Sequence, residues 1–278
     1  PSDRRLASCH TGVLRNWREE PGVSMNISWD AEGYERGFSF VPAYGAGVID
    51  LIDVRPGEKC LDLGCGNGTL TAELAARGLD ASGMDATPEM VALARERHPE
   101  LRFEVGDATS FSLDEPVDVV FSNAMLHWID ARLQPSALAC VAAALRTGGQ
   151  FVFECGGHGC GERIHAALTR AFAARGLDYV MPFYFPTIAE YAPLVEAAGL
   201  RVTDAFLFDR PTRLEGPDGM ADWIRMFVKR PFDGLEAALS DELIAAAVDD
   251  LRADSNLLRE GVWYADYVRL RMCAVKVA

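Results

Sequence analysis

Three carboxylates and a glycine loop carry the clearest chemistry in this chain. The run Asp62-Leu63-Gly64-Cys65-Gly66-Asn67-Gly68 follows a short β-rich stretch and precedes a helical one. Glycines at such a junction let the backbone turn sharply and bring a ligand close to a helix N-terminus. The spacing is G-x-G-x-G, whereas nicotinamide enzymes use G-x-G-x-x-G. Asp62, two residues ahead of the first glycine, would oppose a pyrophosphate at short range and suits a ligand with an ammonium group. Its other reading is a strand-end aspartate that caps a turn. Asp85 closes the next β-rich run, where a carboxylate can accept both hydroxyls of a ribose. Asp107, in Gly106-Asp107-Ala108 after a third run, can accept from the exocyclic amine of adenine. Each alone is an ordinary loop residue. Three at successive strand ends line the edge at which open α/β sheets bind ligands.

The elements that must position these groups are legible in the hydrophobic pattern. Lys59 to Leu63, Ala81 to Met84, Leu101 to Val105, Val117 to Ser122 and Gln150 to Glu154 read as strands. Between them, Thr69 to Arg77 reads as a helix closed by Gly78. Thr87 is placed to cap a helix with Pro88 at its first position, ended by Pro99, and Leu133 to Arg146 reads as a helix ended by Gly148 and Gly149. This alternation predicts a parallel sheet with crossover helices. Arg201 to Phe208 and Tyr267 to Val275 supply two further strands. The stretches of about 160–197 and 211–263 are helical, interrupt the sheet late, and read as a lid on one domain spanning 25–278. Residues 1–24 precede the first Met and the patterned sequence, and are read as an N-terminal extension of doubtful origin.

These residues resemble the motifs of the class I S-adenosylmethionine-dependent methyltransferases. The resemblance runs from about Trp29 to the C-terminus and rests on Leu61 to Gly68, Asp85 and Gly106-Asp107-Ala108. It implies a Rossmann-like, seven-stranded, mostly parallel sheet with an antiparallel last strand, plus the helical lid. It also implies S-adenosylmethionine as cofactor, S-adenosylhomocysteine as product, and no metal. Asp62, Gly64, Cys65, Gly66, Asp85, Ala86, Met90, Asp107, Ala108 and Asn123 would then hold the cofactor. Met90 could cover adenine or simply pack in the core. In the resembling family the N-terminal segment lies over the methyl donor, which gives Trp29, Tyr34 and Phe40 that role. Phe121-Ser122-Asn123-Ala124-Met125-Leu126-His127-Trp128 is similar to the trans-aconitate methyltransferase branch, which methylates carboxylates of small acids.

That similarity points to methyl transfer onto a small-molecule acceptor, with a carboxylate as the expected nucleophile. The alternatives are a C- or N-methyltransferase of a secondary metabolite and a catalytically silent cofactor-binding subunit. In-line displacement demands alignment and exclusion of water, so the acceptor's pocket should be aromatic. Trp128 and Tyr184 are the expected walls and Arg210 the expected cation, with Arg269 and Arg271 as other cations on the last strand. His127 is the catalytic candidate, as a base, as a hydrogen-bond donor, or as a satisfied strand-end histidine. Cys155-Gly156-Gly157-His158-Gly159-Cys160 has too few ligands to close a tetrahedral metal shell and reads as a loop.

Composition narrows the partners. Asp and Glu total 41 against 27 Lys and Arg, a formal charge of -14, so nucleic acid and anionic membrane are poor partners. The seven cysteines show no C-x-x-C spacing, which fits a reduced, cytoplasmic protein without a disulfide framework. No apolar run approaches the roughly 20 residues of a membrane span. The sequence carries no signal of oligomeric state.

Overall fold

The computed structural model describes residues 47–278. The 1–24 extension, Trp29, Tyr34 and Phe40 lie outside them. Chain order is β1 (Lys59–Leu63), α1 (Thr69–Ala76), β2 (Asp80–Asp85), α2 (Pro88–Arg97), β3 (Arg102–Val105), β4 (Val117–Asn123), α3 (Gln134–Ala144) and β5 (Leu145–Gly156). There follow α4 (Glu162–Ala174), α5 (Ile188–Ala197), β6 (Leu200–Arg213), α6 (Gly219–Phe227), α7 (Ala237–Leu251), β7 (Leu258–Arg259) and β8 (Val262–Lys276). The sheet order is β3-β2-β1-β4-β5-β8-β6, with the two-residue β7 paired to β8. Strands β1 to β5 pair in parallel, and β8 is antiparallel to both β5 and β6. This is the Rossmann-like architecture that the family resemblance implies, with the parallel strands that the sequence pattern predicts.

The central strands are buried on both faces, and their side chains divide by the two-residue period of a strand. Val120, Phe151 and Phe153 point to a core shared with α3 and α5. Val119, Phe121 and Val152 point to the opposite core, with Val48, Ile49 and Leu74. A third core lies off the sheet, where α4, α6 and α7 bury Leu168, Trp223 and Ala247 against Trp263, Ala265 and Tyr267 of β8.

The structure differs from the sequence reading at four places. Helix α3 stops at Ala144, and Leu145 already pairs with Val117 in a longer β5. Arg146, expected in the helix, is therefore on a strand, where it pairs with Asp118 and Glu58. Thr87 sits at the N-cap of α2 without a side-chain bond; Asp85 takes its backbone N–H instead. The range expected to form the lid also contains sheet structure. Helix α5 buries Tyr191 and Val195 in the sheet core, while 211–213 and 262–263 belong to β6 and β8.

One buried charge ties β5, β6 and β8 together. The Glu154 carboxylate accepts from Arg210 at 2.6 and 2.8 Å and from Arg271 at 2.9 and 2.6 Å, with Arg269 Nε 4.0 Å away. Removing the carboxylate leaves guanidinium groups with little water and no counter-charge. Glu154→Ala should therefore lose about 3 kcal/mol or more of stability in urea denaturation. A change within about 0.5 kcal/mol, the level of a surface substitution, would contradict this role.

Candidate active site

The glycine loop is built by backbone bonds before any ligand is considered. Gly64 and Cys65 donate their N–H groups to Met84 O at 2.7 and 3.0 Å, pinning the loop to β2. Gly64 has φ 81°, and a Cβ there would lie 2.4 Å from Met125 Cγ, so the position admits glycine alone. Asp85 closes the cradle: Oδ2 accepts from Gly66 N and Oδ1 from Thr87 N, both at 2.9 Å. Each oxygen retains a lone pair for a further donor. Asp107 Oδ1 accepts from the N–H and hydroxyl of Thr109, both at 2.8 Å. Its other oxygen has no partner among the described residues.

Asp62 lies under this loop. It is fully buried and accepts from Thr71 Oγ1 at 2.7 Å. Burial pushes its carboxyl up to about 7, against the pull of that hydroxyl, and the charge of Asp85 adds to the rise.

At the end of β4 the chain turns through Ala124, held at φ 58°, into a single 3-10 turn, Leu126–Trp128. Gln134 Nε2 donates to Leu126 O and Ile129 O, both at 2.9 Å, and its Oε1 accepts from Tyr191 of α5 at 2.7 Å. This buried amide fixes the turn, and the His127 carbonyl accepts from Tyr184 N at 3.0 Å. His127 Nδ1 accepts from Gly156 N at 3.2 Å, which places the neutral ring's proton on Nε2. Burial and the charge of Arg269 hold its pKa well below the ordinary histidine range.

One cavity of about 210 Å³ joins the loop to this turn. Gly64, Cys65, Gly66, Asp85, Ala86 and Met90 line one end, followed by Asp107, Ala108 and Asn123. His127 and Trp128 line the other end. Asp62 is not on the wall. Tyr184 and Arg210 are absent from it too, which corrects the expectation for both. Tyr184 packs toward Tyr191 in the sheet core, because alternation in the extended segment sends its neighbours Phe183 and Phe185 the opposite way, into the cavity. Arg210 is occupied by Glu154, and among the described residues the cation on the cavity wall is Arg269.

Trp223 and Phe227, in the stretch 220–227 that the sequence reading expects to close over the acceptor, complete the second end with Tyr267 and with His165, which sequence reasoning missed. A signal for His165 was present: it shares an apolar helix face with Leu168 and Phe172. Among the described residues, three buried polar atoms on the cavity wall lack a partner: Asn123 Oδ1, His165 Nε2 and Arg269 Nε. The Arg269 guanidinium lies 4.3 Å from the centroid of the Tyr267 ring. No group of three or more His, Cys, Asp or Glu side chains is arranged to hold a metal among the described residues. No helix among them is long and apolar enough to cross a membrane.

Comparison with known proteins agrees with this geometry. Residues 60–149 match the family described as "Methyltransferase domain". An uncharacterized methyltransferase of Schizosaccharomyces pombe is 31% identical over 259 residues, spanning 89% of this chain and 98% of its own. A trans-aconitate 2-methyltransferase of Methylobacterium nodulans is 30% identical over 226 residues, 78% of this chain and 86% of its own. The fold is similar to that of a crystallised methyltransferase from Bacillus halodurans, with TM-score 0.60 and 15% identity over 85% of this chain and 100% of that one. The chain belongs to the class I S-adenosylmethionine-dependent methyltransferases. It is an enzyme of that class.

Two predictions follow from the carboxylates. Asp62 is neutral in both states below about pH 4, and between about pH 4 and 7 the unfolded chain ionises first. Its contribution to stability is therefore lost as pH rises through about 7. Asp62→Asn keeps an oxygen for Thr71 and removes the titration, so its stability relative to the wild type should rise between pH 5 and 8. Denaturation curves that stay parallel across that range would refute the assignment. Asp85→Asn should weaken S-adenosylhomocysteine binding about tenfold or more in calorimetry, the size of one charge-assisted hydrogen bond.

Proposed function

We propose that this chain transfers the methyl group of S-adenosylmethionine to a carboxylate oxygen of a small acid. The residues at the loop end suit the cofactor. Asp85 offers two oxygens with spare lone pairs where ribose hydroxyls would lie, Asp107 a free oxygen for an adenine amine, and Met90 an apolar cover. Asp62 acts from below, as a buried charge beneath the loop. When bound, the cofactor supplies an electrophilic methyl on a sulfonium.

Arg269 carries the reading of the acceptor. Its guanidinium is buried at the other end of the cavity, its Nε has no partner among the described residues, and its nearest carboxylate already serves two other arginines. A carboxylate is the group that answers such a cation with paired, directional bonds. His127 supports the same choice. With Nδ1 taken by Gly156, it presents an N–H donor and no free lone pair.

Among the described residues, the wall offers no other histidine or tyrosine that titrates near neutrality. Burial lowers His165 to about 4 and raises Tyr267 to about 12. A carboxylic acid is already ionised at pH 7 and requires none. Its oxygen forms the bond to the methyl carbon as the methyl–sulfur bond breaks and the electron pair passes to sulfur. Arg269 and His127 orient the nucleophile, and α4, α6 and α7 form the cap that keeps water out.

Methyl ester formation should thus stay nearly flat from about pH 6 to 9, since His127 does not titrate there. His127→Gln should keep substantial activity. Arg269→Leu should lower kcat/KM by about tenfold to a hundredfold, the value of a charge-assisted contact. A rate that climbs through a pKa near 6.5 and collapses in His127→Gln would move the acceptor to a proton-bearing nitrogen, carbon or hydroxyl.

A further inference from the structure

We infer that the acceptor is a flat, aromatic acid with one carboxylate and a second, uncharged oxygen at its far end, which His165 holds through Nε2. This inference rests on the carboxylate reading and goes beyond it to the substrate's shape. Arg269 is the only Lys or Arg on the cavity wall among the described residues. Arg210 and Arg271 are held on Glu154 and do not line the cavity. Against Trp128, Phe183 and Phe185 a di- or tricarboxylate would bury its further charges with no counter-charge from the described residues, a costly arrangement.

The space between the polar groups is aromatic. Phe183 and Phe185 stack with centroids 5.2 Å apart at 20°, and Trp128 meets Phe183 edge-on at 4.7 Å. The two histidines flank that stacked pair. His127 lies 6.0 and 5.7 Å from the two rings, and His165 5.5 and 6.2 Å. A planar ring fits walls of this kind by stacking and edge contacts.

His165 fixes the second polar contact. Its Nδ1 lies 2.6 Å from the Tyr179 hydroxyl, and Tyr179 has no other hydrogen-bond partner among the described residues. We assign the hydroxyl as the donor in this pair, which leaves the ring's proton on Nε2. That N–H is buried, lines the cavity and has no partner among the described residues. Buried donors are rarely left unpaired, so a ligand oxygen is the natural complement. Being neutral, His165 suits an uncharged oxygen, while Arg269 takes the charged one.

The test uses the full chain with S-adenosylmethionine and measures methyl esters by mass spectrometry. Benzoate is compared with 4-hydroxybenzoate, cinnamate with 4-hydroxycinnamate, and all four with trans-aconitate. We expect each hydroxy acid to exceed its parent in kcat/KM by about tenfold, the range of a hydrogen bond into a built site, with trans-aconitate below both. In His165→Leu that ratio should fall toward one, chiefly through KM, while His165→Gln, which restores an amide donor, should recover part of it. Unchanged affinity for S-adenosylhomocysteine in both variants separates lost specificity from lost fold. Preference for trans-aconitate, or the same ratio in wild type and His165→Leu, would overturn the inference and leave the carboxylate reading standing. Absence of any methyl ester, with methylation of an amine or phenol panel or without it, would overturn both.

Discussion

The end of the cavity beyond the glycine loop depends on an imbalance of buried charge. One carboxylate, Glu154, lies where β5, β8 and β6 meet, and three arginines converge on it. Arg210 and Arg271 take its oxygens; Arg269, in register with Gly156 on β5 and Phe208 on β6, is left facing the cavity. The register makes this unavoidable. Residues 269 and 271 share a strand face, and a single carboxylate between two neighbouring strands cannot saturate three forks of donors. The same guanidinium contributes to depressing His127 and stacks on Tyr267, so its placement sets the protonation of its neighbours as well as the polarity of the cavity.

What was legible in the sequence was local. The glycine loop, Asp85 and Asp107 sit at strand ends that period and punctuation locate well, because backbone geometry at such ends follows from few residues. The partition of aromatics and cations between cavity and core was not local. Tyr184 differs from Phe183 and Phe185 only in which way alternation sends it, and no feature of the sequence fixes that phase. Arg210 and Arg269 are equally good cations on paper. Only the pairing of β6 with β8 decides that the first meets Glu154 at bonding distance and the second does not. The cap was visible as a late helical interruption, yet α5 belongs to the sheet core because Tyr191 reaches Gln134 beneath the His127 turn.

Asp62 shows how spacing alone leaves a motif residue's contacts open. Its spacing from the glycines suggested direct contact with a ligand cation. In the structure it is bonded to Thr71 below the loop, buried enough for its carboxyl to rise to about 7. On the proposed reading its charge would act through the loop's field, since the carboxylate lies off the cavity wall.

The two ends of the cavity are opposite in sign, with Asp85 and Asp107 at the loop and Arg269 at the turn. On the proposed reaction a sulfonium cation meets a carboxylate anion and both charges vanish in the products, so the transition state carries less charge than the reactants. Water stabilises the charged ground state more than such a transition state, and an aromatic, water-poor wall removes that penalty. Fixed charges at the two ends then compensate each reactant for its lost hydration while keeping the pair aligned. The net charge of -14 does not oppose this arrangement. At physiological salt the Debye length is about 8 Å, so exposed carboxylates beyond that range are screened, whereas Arg269, buried in the cavity wall, is not.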